Sequence, residues 1–476
     1  MKLVINDLGP IKKPVILDPR QLTILMGANN TGKTYTLYLL NALLDSRLPA
    51  PHSLAKDISA RLFKERQSTV LLEPLVSEAA LKQAGSEFGR ALKNALPRFF
   101  AADEEFGANA SIEVELSATD VLESACSPEA QRNDLWNKAD IAWRLPDGKL
   151  VEAELIVTRQ DGSAHFALRG EIADHPASLR AIESSISAWL SAFYLPERSG
   201  RDFLLPAERS GVNLFFRELN SRRAALLRHV TSQTLDTAEL LKDIIVSRYP
   251  SPIQDYIEFL SSQPELKRNR SDFADLADEL QSKVLQVKYK IDRNGDISIV
   301  PTKSGNASLG LHLGSSTVKT FFGLWSYLNH AARKGDWLMI DEPELNLHPC
   351  NQIAIAQLLA KIARRGIRVV VSTHSDYMVR QWGNLAMLGG NSPNDELDNL
   401  AAVAGLEPAA YLDPNNIAAY EFSQGTSKEL VVDANQGIVT KLFDDSIQLL
   451  NQTTRDIYFA VQDIATAAQN VGLKDE

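Results

Sequence analysis

The chain has 476 residues, with 50 Lys and Arg against 60 Asp and Glu and a formal net charge of −10. That length exceeds one ordinary domain, and 44% hydrophobic with 23% charged residues excludes wholesale disorder. The acidic balance argues against a surface that coats nucleic acid throughout, while leaving room for a local basic groove.

No apolar run approaches the ~18 to 20 residues of a membrane-spanning helix. Asp7 interrupts the start before a signal-peptide core can form. Cys126 and Cys350 stand far apart without metal-ligand spacing. This disfavours a disulfide framework or structural zinc and makes a cytoplasmic location the expectation.

In chain order, Lys2 to Leu8, a Gly9-Pro10 turn and Val15 to Asp18 predict a β-hairpin. Gln21 to Met26 predicts a buried strand that runs into a glycine-bounded loop and then a helix to about Asp45. Residues 50 to 100 read as helical, in amphipathic stretches around Leu54 to Glu65 and Glu78 to Leu96. Alternation around Ile112 to Leu116, Ile141 to Leu145, Leu150 to Thr158 and Ala164 to Leu168 predicts an antiparallel meander. Residues 213 to 283 turn helical and carry seven basic residues, Arg217, Arg222, Arg223, Arg228, Lys267, Arg268 and Arg270. A hairpin through Asn294-Gly295 follows. From 315 the order helix, strand (Trp337 to Asp341), helix, strand (Ile367 to Thr373), helix implies a parallel α/β sheet. The tail reads as a hairpin (Ala418 to Phe422, Glu429 to Val432) and then helices. One local echo stands out: YLPERSG at 194 to 200 and LLPAERSG at 204 to 211.

Gly27-Ala28-Asn29-Asn30-Thr31-Gly32-Lys33-Thr34 fits GxxxxGK[ST], between a predicted strand and a predicted helix. Glycines let backbone N–H groups curl round phosphate oxygens at a helix N-terminus. Lys33 then reaches the β- and γ-phosphates and the Thr34 hydroxyl binds Mg²⁺. Gly27, Asn29, Asn30, Thr31, Gly32, Lys33, Thr34 and Tyr35 are therefore the candidate nucleotide-binding segment. Trp337 to Glu342 is a hydrophobic strand ending in two carboxylates, where α/β sheets bind ligands. Asp341 suits the Mg²⁺ shell, and Glu342 suits the base that polarises the attacking water. Val369 to His374 is a second such strand, and His374 could contact the γ-phosphate or orient the water; a hydrogen-bonded loop histidine is the plainer alternative.

These elements, with Asp341-Glu342-Pro343-Glu344-Leu345-Asn346-Leu347-His348-Pro349 and Ser372-Thr373-His374-Ser375, resemble the ABC-type ATPases. The resemblance is to the branch containing the RecF, chromosome-maintenance and overcoming-lysogenization-defect ATPases. It implies an ABC-type P-loop NTPase head: a mixed sheet with an antiparallel lobe and a parallel core, plus a short helical insertion. The implied division is an N-terminal lobe (1–212), the helical insertion (213–283), a C-terminal lobe (284–400) and a terminal hairpin with helices (401–476). By resemblance, Ser315 and Ser316 stand at the signature motif, whose serine docks on ATP bound by the opposite protomer; Thr317 replaces the usual glycine. A plain helix N-cap is the simpler reading of the same serines. Glu208 and Arg209 are candidates for lobe linkage or γ-phosphate sensing, with an inter-strand salt bridge as the simpler reading.

The resemblance implies ATP and Mg²⁺ as cofactors and a nucleotide-dependent homodimer or higher oligomer. The chain also resembles ATPase subunits of anti-phage systems such as Septu and PARIS, in which a separate nuclease or toxin is held in check. A RecF-like repair ATPase binding DNA directly is the alternative. Asp433, a lone strand-end carboxylate, offers no nuclease site, and no membrane partner is expected.

Overall fold

Strands buried on both faces read as continuous apolar runs, and Leu22–Gly27, Trp337–Asp341 and Arg368–Thr373 are such runs. In the computed structural model they lie side by side in a six-stranded sheet. Its order is Thr426–Glu429, Ile417–Ser423, Leu22–Gly27, Arg368–Thr373, Trp337–Asp341, Asp202–Leu205. The last five run parallel; Thr426–Glu429 is antiparallel to its neighbour. The structure describes residues 1–45, 53–126, 138–144, 150–160, 162–170, 172–218, 249–266, 269–292, 295–302, 308–392, 394–440 and 448–462.

Successive side chains of a strand point to opposite faces, and here each face has its own core. Leu25, Trp337, Met339, Val370, Ala418 and Tyr420 pack against the helix Lys33–Leu44 and the antiparallel elements. Leu22, Ile24, Met26, Leu338, Ile340, Val369 and Val371 pack on the other side, against helices Ser316–Ser326, Pro349–Arg364 and Asp376–Gly390. The described helices of the expected insertion join this second core through Ile253, Tyr256, Leu260, Leu276 and Ala277.

The strands expected to form one meander divide between two sheets. Ser111–Glu115 pairs with Lys2–Asn6 of the N-terminal hairpin, which also pairs with Val15–Leu17. The other sheet has the order Gln67–Leu71, Ser163–Arg169, Leu150–Gln160, Lys138–Arg144. Gln67–Leu71 interrupts the stretch expected to be wholly helical. The tail hairpin forms, but its second arm is Thr426–Glu429 and not residues 429 to 432, because Gln424 (φ 48°) and Gly425 (φ 75°) make the turn earlier. Of the seven basic residues of the insertion, Arg217 pairs with Asp296 and Arg270 with Asp278. Arg222, Arg223, Arg228, Lys267 and Arg268 lie outside the described residues.

Candidate nucleotide site

Parallel pairing brings the carboxyl ends of four strands to one edge. Met26 pairs with Thr373, Ser372 with Asp341, and Ile340 with Leu205. Residues 27–34, 341–348, 372–375 and 206–209 therefore leave the sheet beside one another.

The loop after Leu22–Gly27 needs glycine at two places. Gly27 has φ +145°, and a Cβ there would meet the Phe422 carbonyl oxygen at 2.3 Å; Gly32 has φ +106°, and its Cβ would meet Ile11 at 2.6 Å. Asn30 also adopts a left-handed conformation, at φ 58°. Gly32 begins the helix Lys33–Leu44, and no side chain caps its N-terminus. Its first N–H groups and the positive end of the helix dipole are thus available to an anion. Asn29 and Asn30 are exposed and Thr31 half-buried, its hydroxyl bonded to the Ala28 carbonyl at 2.9 Å. The Tyr35 ring turns from the loop and stacks on Phe100, with centroids 5.4 Å apart.

Lys33 is only 5% exposed, and its ammonium donates to the carbonyls of Gly27 (3.0 Å) and Ala28 (2.7 Å). Burial pushes its pKa down to about 8, partly offset by the nearby carboxylates of Glu342, Asp341 and Glu344. The Thr34 hydroxyl lies 3.3 Å from Asp341 Oδ1, which also accepts from the Ser372 hydroxyl. Asp341 is 2% exposed, and burial raises its pKa to about 6. A hydroxyl and a buried carboxylate side by side are a hard-oxygen donor pair that fits Mg²⁺.

Glu342 follows at φ 50°, a left-handed conformation costly for a residue with a Cβ. Its N–H is held by the Ser372 carbonyl (3.1 Å) and hydroxyl (3.2 Å). Its carboxylate lies 3.5 Å from His374 Nε2, and that bond holds its pKa below the usual range despite partial burial. It is therefore ionised at neutral pH, as a general base requires.

Glu344, Ser372 and Ser375 stand in the quoted strings without an assigned role, Gln352 lies outside them, and the structure brings all four next to His374 and Glu342. Glu344 Oε1 accepts the His374 N–H at 2.5 Å. Ser375 donates to Gln352 Oε1 (2.6 Å), while Gln352 donates to the Leu347 carbonyl (3.0 Å). The loops at 342–348 and 372–375 are thus bonded into one unit.

Ser315 is the N-cap of helix Ser316–Ser326, accepting from the Val318 N–H at 3.3 Å. Both Ser315 and Ser316 are exposed, and among the described residues neither bonds to the 27–34 loop. Thr317, in the expected glycine position, donates to the Asn346 carbonyl (2.6 Å), and Asn346 donates back to Thr320 (3.0 Å).

The two arginines of the ERSG echo both bind backbone carbonyls. Arg198 donates to Leu43 O at 2.7 Å, at the negative end of helix Lys33–Leu44. Arg209 is 1% exposed and donates to the carbonyls of Pro206 (3.0 Å), Asp341 (2.6 Å) and Glu342 (2.7 Å). Its partners are carbonyls rather than the carboxylate of an inter-strand salt bridge, and Glu208 is exposed. Asp433 closes a turn, accepting the N–H groups of Asn435 and Gln436 at 2.7 Å. Cys350 is a free, exposed thiol rather than a packed core residue.

A glycine-bounded loop opening a helix, beside two strands that end in carboxylates and a histidine, defines a P-loop NTPase fold. The chain matches the family model of an AAA ATPase domain over residues 222–379, which include Ser315, Asp341, Glu342 and His374. No curated protein sequence matches it. Similar solved structures include an Smc head bound to the C-terminal winged-helix domain of ScpA (13% identity, 91% of this chain and 97% of that one, TM-score 0.30). Others are the Smc head with an extended coiled coil from Pyrococcus furiosus, bound to the C-terminal domain of ScpA (13%, 95% and 98%, 0.30), and the SMC head domain of Thermotoga maritima (10%, 91% and 98%, 0.28). At such values the fold assignment rests on the strand order and the loop geometry.

Proposed function

We propose that the chain is an ABC-type ATPase subunit that binds Mg²⁺–ATP, hydrolyses it and dimerises when nucleotide is bound. The observation that carries this reading is the convergence of Lys33, Thr34, Asp341, Glu342 and His374 on one sheet edge. Lys33 and the N–H groups of the helix that follows hold the phosphates; Thr34 and Asp341 would hold the cation, which when bound would supply neutralising charge. Glu342 takes a proton from water as the water oxygen attacks the γ-phosphorus. The bond to the leaving ADP oxygen breaks, and ADP and phosphate depart. His374 orients the Glu342 carboxylate.

Self-association is supported by the exposure of Ser315, Ser316 and Leu313, the last 63% exposed, none of which bonds to the 27–34 loop among the described residues. A second copy would bring these serines to the phosphates of the first. The chain would then act as sensor and scaffold of an anti-phage system, controlling a separately encoded nuclease or toxin. The exposed apolar residues of helix 448–462, among them Leu449, Ile457 and Tyr458, offer contact area for a partner. No described helix is long and apolar enough to cross a membrane.

Lys33 provides the test of nucleotide binding. Its pKa of about 8 in the nucleotide-free protein rises beside phosphate, so ATP binding takes up a proton between about pH 8 and 9. Affinity then falls as pH rises through that range. Titration calorimetry at pH 9 in buffers of different ionisation enthalpy measures the uptake. Lys33→Ala is expected to abolish it and to weaken binding roughly 10- to 100-fold, the worth of a charged hydrogen bond. Equal binding by the variant would contradict the assignment.

A further inference from the structure

We infer that Arg209 is a positioning residue for Glu342: its guanidinium, bonded to two successive carbonyls, holds the base in its left-handed backbone conformation. The inference rests on the reading of Glu342 as the base.

The need for such a group follows from the sheet. Asp202–Leu205 is the edge strand beside Trp337–Asp341, and its ladder ends at the pair Ile340 and Leu205. Beyond that pair Pro206 and Ala207 leave the strand. Because the Trp337 N–H donates to the Arg201 carbonyl, the ladder donor for the Asp341 carbonyl would be the Ala207 N–H, which lies past the last pair of the strand. Buried carbonyls need partners. The chain turns back through Pro206 and supplies one three residues later, where Arg209 bonds the Asp341 and Glu342 carbonyls at 2.6 and 2.7 Å.

A planar guanidinium bonded to successive carbonyls restrains the peptide orientations on either side of the Glu342 Cα. The Glu342 N–H is fixed from the opposite strand by Ser372. With both peptide units held, φ 50° is over-determined, as a strained functional residue requires. The guanidinium is itself fixed, against the Phe321 ring at 6.0 Å and by the Pro206 carbonyl at 3.0 Å. At 1% exposure it does not face solvent, so it acts through the backbone it holds.

The clamp is also tied to the helix that bears Ser316. Asn213, on the helix begun by Arg209 (residues 209–218), donates to the Lys319 carbonyl at 2.6 Å and accepts from Tyr256 at 2.6 Å. Helix Ser316–Ser326 and the element that holds the base are thereby bonded to each other.

Arg209→Lys tests the inference, because one ammonium on a flexible stem does not reproduce the planar two-carbonyl contact. Steady-state ATPase kinetics are expected to show kcat reduced roughly 10- to 100-fold, with KM for ATP and Tm close to wild type. In a Glu342→Gln background the same change is expected to add no further loss, since the two residues act as a unit. A kcat like that of wild type, or kcat, KM and Tm that deteriorate together, would overturn the inference. Should Arg209→Lys fail to fold, Phe321→Leu keeps the guanidinium and removes the ring beside it. A smaller fall in kcat at unchanged KM is then expected, and an unchanged kcat overturns the proposal. Wild-type protein without turnover sinks the reading of Glu342 and the clamp with it; turnover that survives both substitutions sinks the clamp alone.

Discussion

Replacing Glu342 by Gln is expected to lower ATP turnover by about two to four orders of magnitude, the usual worth of a general base, while leaving nucleotide bound. The amide preserves the size of the side chain but does not accept the water proton. The effect is selective because, among the described residues, the Glu342 side chain makes no hydrogen bond to residues 27–34. Its backbone is held by Ser372 and Arg209, and its carboxylate faces His374. Phosphate release measured beside binding of a fluorescent ATP analogue separates the two effects. Loss of binding together with turnover would mean that Glu342 supports the fold and not the chemistry.

Asp341→Asn carries the second large effect, with opposite signs on stability and function. The carboxyl is buried, and its pKa in the folded chain, about 6, stands well above the usual aspartate range. The folded state therefore binds the proton more tightly than the unfolded one, and stability falls as pH rises through about 4 to 6. Above that range the ionised group costs on the order of 1 to 3 kcal/mol until a cation shares its site. An asparagine keeps the acceptor for Ser372 and Thr34 and removes the charge. The nucleotide-free variant should melt higher than wild type at neutral pH and lose the pH dependence between about 4 and 6. It should also lose Mg²⁺-dependent ATP binding. Thermal melts across pH, with and without Mg²⁺–ATP, check both signs. A lower Tm with retained cation dependence would show that Asp341 is a packing residue.

Much of this site is legible in the sequence because its elements are local. Gly27 to Thr34 is a contiguous string, and Trp337 to Asp341 and Arg368 to Thr373 are apolar on both faces, so each strand and its end are readable from a few residues. What escapes is non-local or short. Asp202–Leu205 has four residues and is legible only as part of a repeated string. Yet it forms the edge strand that brings Arg209 to Asp341 and Glu342, over 130 residues away. Gln67–Leu71 exposes three of its five residues and carries too little alternation to stand out between two long helices. Ser111–Glu115 is legible as a strand, but its partner Lys2–Asn6 lies at the far end of the lobe, and no local pattern encodes that pairing. Thr317 shows the same limit. Its departure from glycine is plain in the sequence, whereas its bond to Asn346 depends on the left-handed turn at Asn346, φ 60°.

That turn ties the loop after Glu342 to helix Ser316–Ser326, and Asn213 ties the same helix to Arg209. Both links reach the residues flanking the base. In the proposed dimer, contact of Ser315 and Ser316 with the phosphates of a second copy is thereby connected to the geometry of hydrolysis in the first.

The measurement that tests this most directly is the mass of the Glu342→Gln protein in solution, by sedimentation velocity, with and without Mg²⁺–ATP. A nucleotide-gated head should sediment as a single chain without ATP and as two chains with it, reverting when Ser315 and Ser316 are both replaced by bulky residues. A mass that ignores ATP, or a dimer that forms equally well without it, would contradict closure of two chains around the nucleotide.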